Sequence, residues 1–166
     1  MTFQGGSLAM FLPEWYSRVM SNHKKPIADL LRETADRLDG GARYEWGHMG
    51  RCNCGHLVQT LTEMTDRQIA ESVNHQLDEW SEHARDYCEQ TGSPVEDLFT
   101  ALAEVGFSHR DVMALEYLND PRVRAELGER GQALRRNHAP DVSLYMRTLA
   151  NVIEKERSEL IGSTVG

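Results

Sequence analysis

A chain of 166 residues, 40% hydrophobic and 27% charged, is long enough to bury one ordinary core, so neither disulfides nor a metal is needed for it to fold. Its formal net charge of -8 gives a surface that on average repels phosphate backbones and anionic lipids. The longest apolar run, Leu8 to Leu12, is too short to span a bilayer and has no positively charged lead, so a cytoplasmic protein with reduced thiols is expected.

In chain order, residues 1–25 hold Gly5-Gly6, Pro13 and the aromatics Phe11, Trp15 and Tyr16, which predicts an irregular or partly helical arm. From Pro26 a helix follows, with Ile27, Leu30, Leu31, Ala35 and Leu38 at helical spacing until Gly40-Gly41 stops it. A loop through Tyr44, Trp46 and Gly47 to Gly55 leads into a short helix carrying Leu57, Val58, Leu61 and Met64. Thr65-x-x-Gln68 fits a capping box and opens a helix with Ile69, Val73, Leu77, Trp80, Ala84 and Tyr87 on one face, up to Gly92. Ser93-Pro94-x-Glu96 opens another, with Leu98, Phe99, Leu102 and Val105, closed by Gly106. Ser108 and Asp111 open the next, bearing Val112, Met113, Leu115 and Leu118, and Asp120-Pro121 starts a short segment to about Leu127. Residues 128–140 read as an internal linker, and a last helix runs from about Asp141 through Leu149, Val152 and Ile153 to Leu160. No strand-period segment appears. The expectation is a single all-α domain over 1–166, a bundle-like packing of about six helices with a glycine-rich Cys/His loop.

That loop carries the only chemistry the chain announces. Cys52 and Cys54 fall between His48 and His56, at or just before a helix start, and Cys88 lies on the edge of a predicted buried stripe. Thiolate and imidazole are the donors that hold zinc or iron–sulfur clusters. A helix N-terminus would favour the thiolate forms through its free N–H groups, and Gly47, Gly50 and Gly55 would let the backbone wrap closely. The expected site is therefore Cys52, Cys54 and Cys88, with His56 ahead of His48 as fourth ligand, in a structural or redox role. Zinc is the commoner structural ion, whereas the tight Cys-x-Cys spacing and the spare core-building capacity favour a cluster.

Two alternatives use the same residues or their neighbours. Cys54 or Cys52 would act as a nucleophile or a disulfide switch, with a histidine such as His56, His48, His75, His83 or His109 as base. Phe99 to Leu115 also fits a helix-turn-helix pattern, with Leu102, Gly106, Phe107, Val112 and Leu115 as pins, so a DNA-binding metal or redox sensor is the further alternative. Its second helix offers Arg110 and His109 against Asp111, Glu116 and Asp120, which disfavours nucleic acid, although Arg122, Arg124, Arg130, Arg135 and Arg136 follow. Glu45-x-x-His48 has di-iron spacing but no second copy. Without a glycine-rich phosphate loop, Ser-His-Asp order or HExxH motif, no enzyme class is assigned. The expected partner is a metal ion or cluster, with a protein partner or homodimer compatible and no membrane.

Overall fold

The computed structural model describes residues 25–48, 50–72 and 94–164, the side chains of 72 and 94–97 excepted. Among these residues all regular structure is helical, as the 3.6-residue periodicity requires. The N-terminal arm up to residue 24, the stripe from Val73 to Tyr87 with Trp80, His75 and His83, and Cys88 lie outside the described residues.

Helix α1 (Ile27–Asp39) follows Pro26 and buries Ala28, Leu30, Leu31, Thr34, Ala35 and Leu38 along one stripe. Helix α2 (Asn53–Thr62) begins two residues ahead of Gly55, with Cys52 as its N-cap. Helix α3 (Asp66–Ser72) is opened by the anticipated capping box: the Thr65 N–H donates to Gln68 Oε1 (2.9 Å) and the Gln68 N–H to Thr65 Oγ1 (3.2 Å). Helices α4 (Pro94–Glu104) and α5 (His109–Tyr117) form the hairpin read from the sequence, with Gly106 at φ +87 in the turn. A second capping box joins Ser108 and Asp111 at the start of α5. Helix α6 (Pro121–Leu127) is capped by the Asp120 carboxylate, which accepts from the Arg122 N–H at 2.8 Å.

Inside the segment read as a linker, Glu129–Gln132 forms one turn of helix, α7. The final helix α8 (Ala139–Ser163) is longer than its apolar pattern implies. Pro140 serves its first turn, and the exposed polar residues beyond Ile153 extend it at little entropic cost.

Helices α1 and α8 run antiparallel. Arg32 reaches Asn151 and Glu154, while Arg147 reaches Asp36 and Asp39, so rising numbers on one helix meet falling numbers on the other. Leu30, Leu31, Ala35, Val142, Met146, Leu149 and Ala150 are all buried in the common core. Helix α2 packs on α1, α3, α4 and α5, and all its residues except Gln59 are buried. A helix enclosed on every side is expected to be apolar all round, yet this one carries Asn53, His56, Thr60 and Thr62 inside. Thr60 and Thr62 donate to the carbonyls one turn back, at 3.1 and 2.7 Å. Asn53 and His56 find partners at the other end, where the cysteines are.

Candidate functional site

The loop before α2 is pinned by its own backbone. Arg51 and Cys52 N–H groups both donate to the His48 carbonyl, at 2.9 and 2.8 Å. Gly50 lies so close to α3 that a Cβ there would sit 2.2 Å from the Asp66 carbonyl oxygen, so only glycine fits. The Arg51 guanidinium then bridges Asp66 and Glu45, which draws Glu45 into an ion pair with Arg51.

This pinning delivers Cys52 in extended backbone to the N-cap position, where its Sγ accepts weakly from the Gly55 N–H at 3.4 Å. Cys54 follows inside the first turn. Its thiol donates to the Val112 carbonyl of α5 at 3.4 Å, and its N–H donates to Glu116 Oε1 at 2.6 Å. Both cysteines and Glu116 are buried to within 1% of full enclosure. Helix α5 thus places a carboxylate at the positive end of α2, one of the few ways a buried acid is stabilised.

The electrostatic consequence reverses one expectation. Burial pushes both the Cys52 and Cys54 thiols well above their ordinary pKa, and the Glu116 carboxylate pushes them further. For Cys52 the Gly55 and Cys54 N–H groups pull the other way and are outweighed. Helix-end assistance to the thiolates is present, but desolvation and the neighbouring acid win, so both thiols are protonated near neutral pH.

Around this centre Asn53 Nδ2 donates to the Leu115 and Glu116 carbonyls at 2.9 and 3.2 Å, fastening α2 to the end of α5. The Tyr44 hydroxyl lies 2.6 Å from Asn53 Oδ1 and also against the Arg136 carbonyl, and burial raises its pKa with Glu116 and Cys52 adding to the effect. The His56 ring stacks on Tyr44, with centroids 6.2 Å apart. Its Nε2 is 3.0 Å from the Arg43 carbonyl and must carry the proton, so Nδ1 holds a lone pair; that atom is buried without a hydrogen-bond partner. Burial lowers the His56 pKa to about 4, so the ring is neutral at ordinary pH. His48 is half-buried and its Nδ1 accepts from the Gly50 N–H at 3.1 Å.

The site residues read from the sequence are therefore brought together in part. Cys52, Cys54 and His56 share one buried helix end, His48 lies in the loop that leads to it, and Cys88 falls outside the described residues. Among the described residues no group of three or more His, Cys, Asp or Glu side chains stands as a metal would need them; the Cys54 thiol donates to the Val112 carbonyl, and the Cys52 sulfur accepts from the Gly55 N–H and also interacts with the Glu116 side chain. Glu116, Asn53 and Tyr44 escaped sequence reading. For Glu116 a signal was available: it lies four residues after Val112 and beside Leu115, on the buried phase of its helix.

The helix-turn-helix pins Leu102, Phe107, Val112 and Leu115 are core residues of the α4–α5 hairpin. Of the arginines that follow, Arg122 pairs with Asp120 and Glu156, Arg135 with Asp141, and Arg136 lies over the Trp46 and Tyr117 rings at 4.1 and 5.0 Å. Among the described residues no helix is long and apolar enough to cross a membrane. The class defined at this point is an all-α protein with a buried thiol and carboxylate cluster. Compared with protein-family models, curated proteins and solved structures, the chain has no match.

Proposed function

We propose that the amino end of α2 is a metal centre with Cys52 and Cys54 as ligands, Cys88 as the third and His56 ahead of His48 as the fourth. It holds zinc or an iron–sulfur cluster in a structural or redox role. The observation that supports this reading most is that two cysteine thiols are buried together beside one carboxylate, Glu116, at a single helix end. Acids crowded in a low-dielectric site resist ionisation, and a cation replacing the thiol protons would turn that crowding into attraction.

The donor chemistry fits. Two sulfurs suit zinc and iron–sulfur clusters, and an imidazole whose N–H is fixed on a backbone carbonyl, with its other nitrogen bare, has the orientation typical of a ligand. His48 ranks second because its Nδ1 is already engaged by Gly50. Both sulfurs have to turn from their present partners to bind. Zinc would cross-link loop and helix, and a cluster would add one-electron transfer. The enclosure and protonation of both thiols weigh against a cysteine nucleophile, which needs an accessible thiolate.

The test is anaerobic purification of the full chain followed by visible absorption and elemental analysis. A brown protein with iron and sulfide, or a colourless one with about one equivalent of zinc, supports the reading. Serine at position 52, 54 or 88 should then lower metal content to a similar degree. Folded protein that carries neither metal after this purification and takes up neither when zinc, or iron with sulfide, is supplied sinks the proposal, and Cys88→Ser with full metal removes Cys88 from it.

A further inference from the structure

Among the described residues, Tyr44 stands between the buried thiols and the surface. The Tyr44 hydroxyl is within electrostatic reach of Cys52 and Glu116 on its inner side, bonds Asn53 beside them, and on its outer side lies against the Arg136 carbonyl. Tyr44 itself is half-buried, whereas Cys52, Asn53 and Glu116 behind it are closed to solvent. Residues 133–138 therefore cross the mouth of the site as a strap. Its near end is held by half-buried Leu134 and by Arg135, whose guanidinium and N–H both bond Asp141, and its far end by His138, whose carbonyl accepts from the Asp141 and Val142 N–H groups at the start of α8.

Between those anchors the hold is light. The Arg136 side chain is exposed and rests on Trp46 and Tyr117 by cation–π contact, and the backbone touches Tyr44 through one carbonyl. Beneath the strap, the Trp46 indole N–H is buried without a hydrogen-bond partner, so the closed arrangement leaves one donor unsatisfied. A segment tied firmly at both ends, held lightly in the middle and penalised when shut can open locally while the core stays packed.

We propose that Tyr44 and the Arg136 strap form a gate over the thiol and carboxylate site, and that Cys52 and Cys54 become reachable by swinging Arg136 off Trp46 and Tyr117. Whatever reaches the thiols, metal ion or oxidant, enters by this opening. The inference concerns access alone and does not rest on the metal reading.

The experiment is alkylation of chelator-treated full-length protein with iodoacetamide, the labelled cysteines resolved by mass spectrometry. Global stability is measured in parallel by urea unfolding. Arg136→Ala and Tyr44→Phe should each raise labelling of Cys52 and Cys54 about three- to tenfold, the scale of one surface cation–π contact or one hydrogen bond. Because the lost contact is absent from both the open and the unfolded state, global stability should fall by the energy that the labelling factor implies, about 0.7–1.4 kcal/mol, while labelling should depend only weakly on low urea, as local opening does. If Arg136→Ala fails to fold, Arg136→Met keeps the stem and removes the charge. Unchanged labelling, or labelling whose dependence on urea is as steep as that of global unfolding, overturns the gate. Because the measurement follows chelation, a chain that binds no metal still answers it.

Discussion

The α1–α8 interface and the amino end of α2 are equally dry but are held in opposite ways. Across the first, leucines, alanines and Met146 interlock, and charged groups stay at the rim, where Arg32 meets Glu154 and Arg147 meets Asp36 and Asp39 in solvent. At the second, Asn53, Glu116, His56 and two thiols are enclosed behind half-buried Tyr44, and most of their polar atoms have named partners. Apolar burial of the first kind stabilises without direction, so many sequences would serve. Enclosed polar groups yield little net stability and demand specific geometry, so a fold retains them where position matters. The difference marks α1–α8 as scaffold and the end of α2 as the place the scaffold serves.

The largest effect should come from breaking the scaffold. Leu31 has no exposed surface and lies mid-stripe on α1. Leu31→Ala should lower the unfolding free energy by about 3–4 kcal/mol, the lost transfer term plus a cavity, in urea or thermal melts. Thiol labelling by local opening should stay as in wild type while global stability falls, since Leu31 remains packed when the strap opens. A loss below about 1 kcal/mol would mean the two helices repack freely, and the contrast between regions would weaken.

The next test separates the regions by pH. Burial holds His56 at about 4 in the folded chain, against an ordinary value near 6.5, so between those values the unfolded state binds more protons. Stability then falls as pH drops from about 6.5 toward 4, by on the order of 3 kcal/mol for the full shift. The carboxylates that ion pairs hold low, Asp39, Asp66, Asp120 and Asp141, act in another window: their stabilisation is lost only as pH falls through their lowered values, below the usual carboxylate range. His56→Gln should flatten the upper slope and leave the acid limb. A slope between pH 4 and 6.5 that survives His56→Gln would assign it elsewhere.

Such contrasts were only partly legible in the sequence. Apolar periodicity marked α1, α2 and the α4–α5 hairpin because a helix buried on one face leaves a regular trace, and Thr65/Gln68 and Ser108/Asp111 marked their caps because those signals are local. Glu129–Gln132 left no trace, since one turn of helix has too few apolar positions to show a period. The cysteines stood out as residue types, but their surroundings did not. That Glu116 would reach Cys54 across 62 residues of sequence is a fact of tertiary packing, and it adds to burial, the larger cause, in raising the thiols against the helix-end argument. The Arg136 strap depends on the same long-range placement, 92 residues from Tyr44.

The smallest effect belongs to the rim of the scaffold. The Arg147 guanidinium bonds Asp36 and Asp39 at 2.7 and 2.6 Å and holds the Asp39 carboxyl below its ordinary range, geometry that invites a large stabilising role. All three side chains are well exposed, however, so water and salt compete for each charge. Arg147→Ala should therefore cost less than about 1 kcal/mol, shrinking further in 1 M salt, and a double-mutant cycle with Asp39→Ala should show coupling of a few tenths of a kcal/mol. The cycle is the sharper measurement, because Arg147→Ala also strips an alkyl stem from α8 and the coupling term removes that packing loss. Coupling above about 2 kcal/mol, insensitive to salt, would show that these charges organise the interface, and the division between an apolar scaffold and a polar site would no longer hold.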